Sequence, residues 1–136
     1  MKLLIISFFV LSIIFLIIDV IWLSFAVKNF YKPNLIGIPM NDKPNLWAGM
    51  TFYLIYTLGL TLIILKPALY NESVILALWT GIVFGVVAYA TYNLTNMAFI
   101  QNWSLNVVIV DMIWGGILTG SASALTVYIV KNFLKL

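Results

Sequence analysis

Four long apolar runs, at 3 to 27, 46 to 65, 74 to 92 and 105 to 130, divide the chain, and short polar stretches rich in proline and asparagine separate them. A helix needs about 20 mainly apolar residues to cross the hydrocarbon core of a bilayer, so each run is long enough to span it. The pattern therefore predicts an all-α, polytopic integral membrane protein, a four-helix transmembrane bundle forming one domain over residues 1 to 136. The first run is too long for a signal-peptide core, carries Asp19 and has no small-residue cleavage pattern before Lys28, so it is expected to remain a permanent span. "KPALYNE" (66 to 72) reads as a tight turn, and residues 28 to 45, with Pro33, Pro39 and Pro44, read as a longer loop. Four spans put both termini on one side, the terminal face. The opposite loop face carries the 28 to 45 loop and a 93 to 104 connection.

Polar residues interrupt these runs at related positions. The first and fourth spans both contain Asp-x-Ile-Trp, as Asp19-Val-Ile-Trp22 and Asp111-Met-Ile-Trp114, yet they run in opposite directions. Counting about 1.5 Å per residue from the expected span ends places both aspartates roughly 9 to 12 Å below the loop face. Each tryptophan follows its aspartate at i+3, on the same helical face, where its indole N–H can serve an acceptor. Span two adds Tyr53, Tyr56 and Thr57, and span three adds Tyr89, Tyr92, Asn93 and Asn96 along one stripe. Because lipid offers no hydrogen bonds, these groups are expected to turn inward as a polar cluster beneath the loops. Below that cluster, spans one and four supply mostly Ile, Leu, Phe and Val, which counts against a polar route to the terminal face.

Composition narrows the chemistry. The chain is 64% hydrophobic and 8% charged, and its mean hydropathy is +1.12, far from the balance of a water-soluble domain. It has seven basic residues, all lysine, and no histidine or cysteine. Thiol and imidazole catalysis, disulfides and His or Cys metal ligation are thereby excluded, and no metal site is expected. The net charge of +3 is carried at helix ends, so no nucleic-acid site is read. Lys2, Lys66, Lys131 and Lys135 on the terminal face against Lys28, Lys32 and Lys43 on the loop face orient the chain only weakly, with cytoplasmic termini favoured.

The aspartates admit two readings, interhelical hydrogen-bonding glue or a site for a ligand, proton or cation; no lysine is expected at matching depth to neutralise them. Trp47, Trp79 and Trp103 are read as interfacial anchors, leaving Trp22 and Trp114 as candidate pocket walls. Small residues recur as Ala77, Gly81 and Gly85 in span three and as Gly116, Gly120 and Ala124 in span four. The second ridge points away from Asp111, so Gly116 and Gly120 are candidates for a homo-oligomer contact, with packing against a neighbouring span as the alternative.

The segments "FLIIDVIWL", "FYKPNL", "YATYNLTNMA" and "NWSLNVVIVDMIWGGILTG" together resemble a bacterial family of four-span membrane proteins, domain of unknown function 2177. The resemblance covers nearly the whole chain. It marks Asp19, Trp22, Tyr89, Thr91, Tyr92, Asn93, Thr95, Asn96, Asp111 and Trp114, with asparagine at 93 where the family pattern has aspartate. The resemblance implies a fold, an inner (cytoplasmic) membrane location and no assigned activity or cofactor.

From the residues, the expectation is a membrane protein that binds a small amphipathic or lipid-like ligand in a polar cavity lined by Asp19, Trp22, Tyr53, Tyr56, Tyr89, Tyr92, Asn93, Asn96, Asp111 and Trp114. Leu35, Ile36, Ile38 and Met40 of the first loop are candidates for its lid. The alternatives are a membrane enzyme acting on a lipid or isoprenoid with an aspartate as general acid or base, a small proton- or cation-coupled transporter, and a structural partner subunit.

Overall fold

The computed structural model describes residues 1–135 and is all-helical among them. Four continuous helices, α1 (Lys2–Asn34), α2 (Leu46–Tyr70), α3 (Val74–Phe99) and α4 (Leu105–Leu134), are each long and apolar enough to cross a membrane. The side chains of Asn45 and Ser73 cap α2 and α3 by accepting from the Ala48 and Leu76 amides.

The helices run past the boundaries expected from the sequence. Residues 28 to 34 belong to α1, residues 66 to 70 to α2, and residues 93 to 99 to α3. The first connection shrinks to 35–45, the second to the turn at 71–73, and the third to 100–104. The first two extensions pass through Lys32-Pro33 and Lys66-Pro67, where proline removes an amide and its ring crowds the carbonyl four residues back. Each proline follows a π-helical turn, Val27–Tyr31 in α1 and Thr61–Leu65 in α2. In these turns Lys32 N–H donates to Val27 O and Lys66 N–H to Thr61 O, so the wider turn absorbs the proline without ending the helix.

The fourth helix is the centre of the bundle. Of the most apolar stretch of α4, 56% is buried within the protein, against 17 to 28% in the other three helices. It packs most closely on α3, through the small residues. A Cβ at Gly85 would collide with the Gly115 carbonyl, and one at Gly81 would lie 2.8 Å from Gly120 Cα. Gly116 faces Ile82 and Val86, and Gly120 faces Leu78 and Ile82, all of α3. Gly116 and Gly120, candidates for a homo-oligomer contact or for packing against a neighbouring span, are buried in the α3–α4 interface. They serve as the flat surface that lets two backbones approach, which is how lipid-embedded helices gain packing energy.

Beneath the loop face the backbone of α2 packs on α1 and stands off from α3, meeting α3 only toward the terminal face. Aromatic side chains reach into the resulting gap.

Candidate functional site

Both aspartates are buried, and all four of their carboxyl oxygens accept a hydrogen bond. Asp19 takes the Tyr53 hydroxyl at 2.6 Å and the Trp114 indole N–H at 3.2 Å. Asp111 takes the Tyr31 hydroxyl and the Asn93 amide, each at 2.5 Å. Trp22 donates to the Tyr31 hydroxyl at 3.2 Å and stacks on Trp114 with ring centroids 4.6 Å apart. The repeated Asp-x-Ile-Trp motif now has a physical meaning. Each tryptophan serves the aspartate of the opposite helix, directly from Trp114 to Asp19 and through Tyr31 from Trp22 to Asp111, and the two indoles lie against each other between them.

α1 rises toward the loop face while α4 descends from it, so along its own helix Asp19 lies three residues to the terminal-face side of Trp22, and Asp111 three residues to the loop-face side of Trp114. Asp19 falls near the middle of the 33-residue α1 because that helix continues to Asn34.

Their surroundings differ accordingly. Asp111 lines a cavity of about 460 Å³ in the gap between α2 and α3, together with Phe52, Tyr56, Ala88, Tyr89 and Tyr92. It also lines a second cavity, of about 350 Å³, under the 35–45 loop. The walls of that second cavity include Tyr31, Leu35, Ile38, Met40, Asn93 and Trp103, and Tyr92 is shared by both. Asp19 lines neither. Of the candidate lid residues, Leu35, Ile38 and Met40 cover the second cavity, while Ile36 is 78% exposed.

The structure does not bring every candidate together. Asn96 makes no hydrogen bond to the cluster and lines neither cavity, because it lies nearly one turn closer to the loop-face end of α3 than Asn93. Tyr56 is directed below the aspartates, with its hydroxyl 2.9 Å from that of Thr119. Trp47 and Trp79 face outward, but Trp103 does not act as a simple anchor: it meets Tyr92 edge-on at 6.0 Å and stands in the cavity wall. Below Asp19 the interior holds more hydroxyls than expected, including Thr57, Thr61, Thr119, Ser123 and Thr126, all buried. Thr57, Thr61 and Thr126 are bonded to carbonyls of their own helices, and the fully buried Leu11, Phe15, Leu60 and Leu118 fill the space among them. Apolar side chains thus separate the buried hydroxyls from one another.

Two polar atoms remain without a partner in the second cavity's walls. Asn93 Nδ2 sits between two acceptors, Asp111 at 2.5 Å and the Tyr89 carbonyl at 3.0 Å, which fixes the orientation of the amide and leaves Oδ1 buried and unpaired. The Trp103 indole N–H is likewise buried and unpaired. The one ion pair among the described residues, Lys131 with Glu72 at 3.7 Å, lies at the terminal face. No lysine therefore neutralises either aspartate. Nor do any three acidic, histidine or cysteine side chains among the described residues come together to hold a metal ion.

The family model for domain of unknown function 2177, described as a predicted membrane protein, matches residues 4–128. The chain belongs to this family. The match takes in all four helices, both Asp-x-Ile-Trp motifs and the two cavities. No curated protein and no solved structure matches the chain.

Reading the sequence alone misses Tyr31, Gly115, Thr119 and the inward position of Trp103. Tyr31 falls in a segment that proline marks as loop. Gly115 adjoins Asp-x-Ile-Trp and was available as a signal, since it lies four residues from Asp111 and faces the Tyr89 ring.

Proposed function

We propose that this membrane protein binds a lipid-like amphiphile, with its polar end at Asp111 and its apolar chain in the gap between α2 and α3. The observation that carries the reading is that one buried carboxylate forms part of two adjoining cavities, one almost wholly apolar and set in the gap between α2 and α3, the other walled by residues with unpaired polar atoms. Intramembrane carboxylates are costly, and placing one at a cavity rather than in a packed tie suits ligand recognition. Asp19, sealed beneath the indole pair, then works as the interhelical tie. The sequence pattern and the family resemblance support an inner-membrane setting with the loop face outward.

Ala88→Trp tests this reading by filling the wall of the larger cavity from a half-buried position on α3. Native mass spectrometry after mild delipidation is expected to show a retained amphiphile on the wild type and at least tenfold less on the variant, with the thermal midpoint unchanged or raised. Equal retention by both proteins at equal stability would place the bound molecule elsewhere.

A further inference from the structure

The polar groups of the second cavity specify a chemistry, and this inference rests on the amphiphile reading above. Two acceptors belong to residues that line the space: the Asp111 carboxylate, whose oxygens have further lone pairs, and the unpaired Asn93 Oδ1, on a side chain that is wholly buried. One unmet donor belongs to the same walls, the Trp103 N–H. The carboxylate has no lysine partner. The aromatic rings of Tyr31, Tyr92 and Trp103 stand in the same walls, and such faces attract cations. An anionic headgroup would meet a carboxylate with one N–H to offset it. A plain hydroxyl would leave the charge unmatched. We propose that the preferred occupant carries a primary ammonium with an oxygen acceptor close beside it.

In that arrangement the ammonium donates to Asp111 and Asn93 Oδ1, and the neighbouring oxygen accepts from Trp103. All three open positions are then matched, and the apolar chain passes Tyr92 into the larger cavity. Two sources share this chemistry, the headgroup of an aminophospholipid and a free long-chain amino alcohol. The gap between α2 and α3 admits either from the bilayer.

The test uses the full chain in nanodiscs of equal parts phosphatidylethanolamine, phosphatidylcholine and phosphatidylglycerol, with retained lipid read by native mass spectrometry. In parallel, binding of 2-aminododecan-1-ol is compared with that of dodecane-1,2-diol, which has the same chain without the charge. Selective retention of phosphatidylethanolamine, or amino alcohol bound on the order of tenfold tighter than diol, is expected. The first result assigns the ammonium to a lipid headgroup and the second to a free amine. Asp111→Asn should reduce that selectivity on the order of 10- to 100-fold, and Trp103→Phe, which keeps a ring and loses the N–H, by severalfold. Retention that is equal across headgroups, or that favours phosphatidylglycerol or the diol, overturns the ammonium assignment and leaves amphiphile binding standing. If no lipid, amino alcohol or diol binds the wild type, both readings fall.

Discussion

Replacing Gly85 with leucine is expected to prevent the native bundle from forming rather than merely to weaken it. The α3 and α4 backbones meet so closely at this point that even a Cβ would collide with the Gly115 carbonyl and lie 2.8 Å from Thr119 Oγ1. The obstacle is backbone, so no side-chain rotation relieves it, and the helices must separate. Separation sacrifices the main interhelical contact of the molecule, along with the level at which Asn93 on α3 meets Asp111 on α4. A loss above about 4 kcal/mol is expected, in the range reserved for severe overpacking. Gly59→Ala is the control, because nothing lies within 4 Å of its added Cβ, and the better helix former should be neutral or stabilising by up to about 1 kcal/mol. Reversible unfolding in mixed detergent micelles measures both. A Gly85→Leu protein with wild-type stability would mean that α3 and α4 do not cross as described.

Truncating Trp114 to alanine should produce the second-largest loss. It removes the stack with Trp22 and takes from Asp19 one of its two donors, leaving a buried carboxyl oxygen without a partner. Aromatic stacking contributes about 0.5 to 1.5 kcal/mol and an unsatisfied buried group costs about 1 to 3 kcal/mol, so a total near 2 to 4 kcal/mol is expected. Trp114→Phe helps to separate the two contributions, because it retains one aromatic ring against Trp22 while deleting the N–H. Combining Trp114→Ala with Asp19→Ala should cost less than the sum of the single changes, because the second substitution removes the orphaned acceptor. Strict additivity in unfolding free energy would show that the two side chains do not interact.

Much of this architecture was legible in the residues. Apolar runs of membrane-spanning length declare four helices, and the cost of polar groups in lipid declares that Asp19, Asp111 and their companions turn inward. The ends of the helices were not legible. Proline at 33 and 67 ordinarily marks a helix boundary, and only the π-helical turns ahead of each let α1 and α2 continue. That single displacement hides Tyr31, whose hydroxyl donates to Asp111. The pairing of tryptophans with opposite aspartates was also beyond one-dimensional reading, since spacing places each tryptophan near the aspartate of its own motif, while the antiparallel crossing sets Trp114 against Asp19 and Trp22 donates to Tyr31 farther along its own helix. Gly116 and Gly120 illustrate the same limit: a small-residue ridge shows that a close contact exists, and only the coordinates show that its partner is Leu78, Ile82 and Val86 of the same chain.

The division of labour between the two aspartates is the central claim, and Asp19→Ala beside Asp111→Ala tests it most directly, with unfolding free energy and retained amphiphile measured on both. Asp19→Ala strands the Tyr53 hydroxyl and the Trp114 N–H in a packed interior and should cost about 1 to 3 kcal/mol. It should leave the amphiphile bound to whatever folded protein remains. Asp111→Ala frees Tyr31 and Asn93 beside cavities that can supply another partner, so it should cost less than about 1 kcal/mol and abolish retention. The reverse pattern, with retention surviving Asp111→Ala while that variant is the less stable of the two, would make Asp111 the tie between helices and contradict the account.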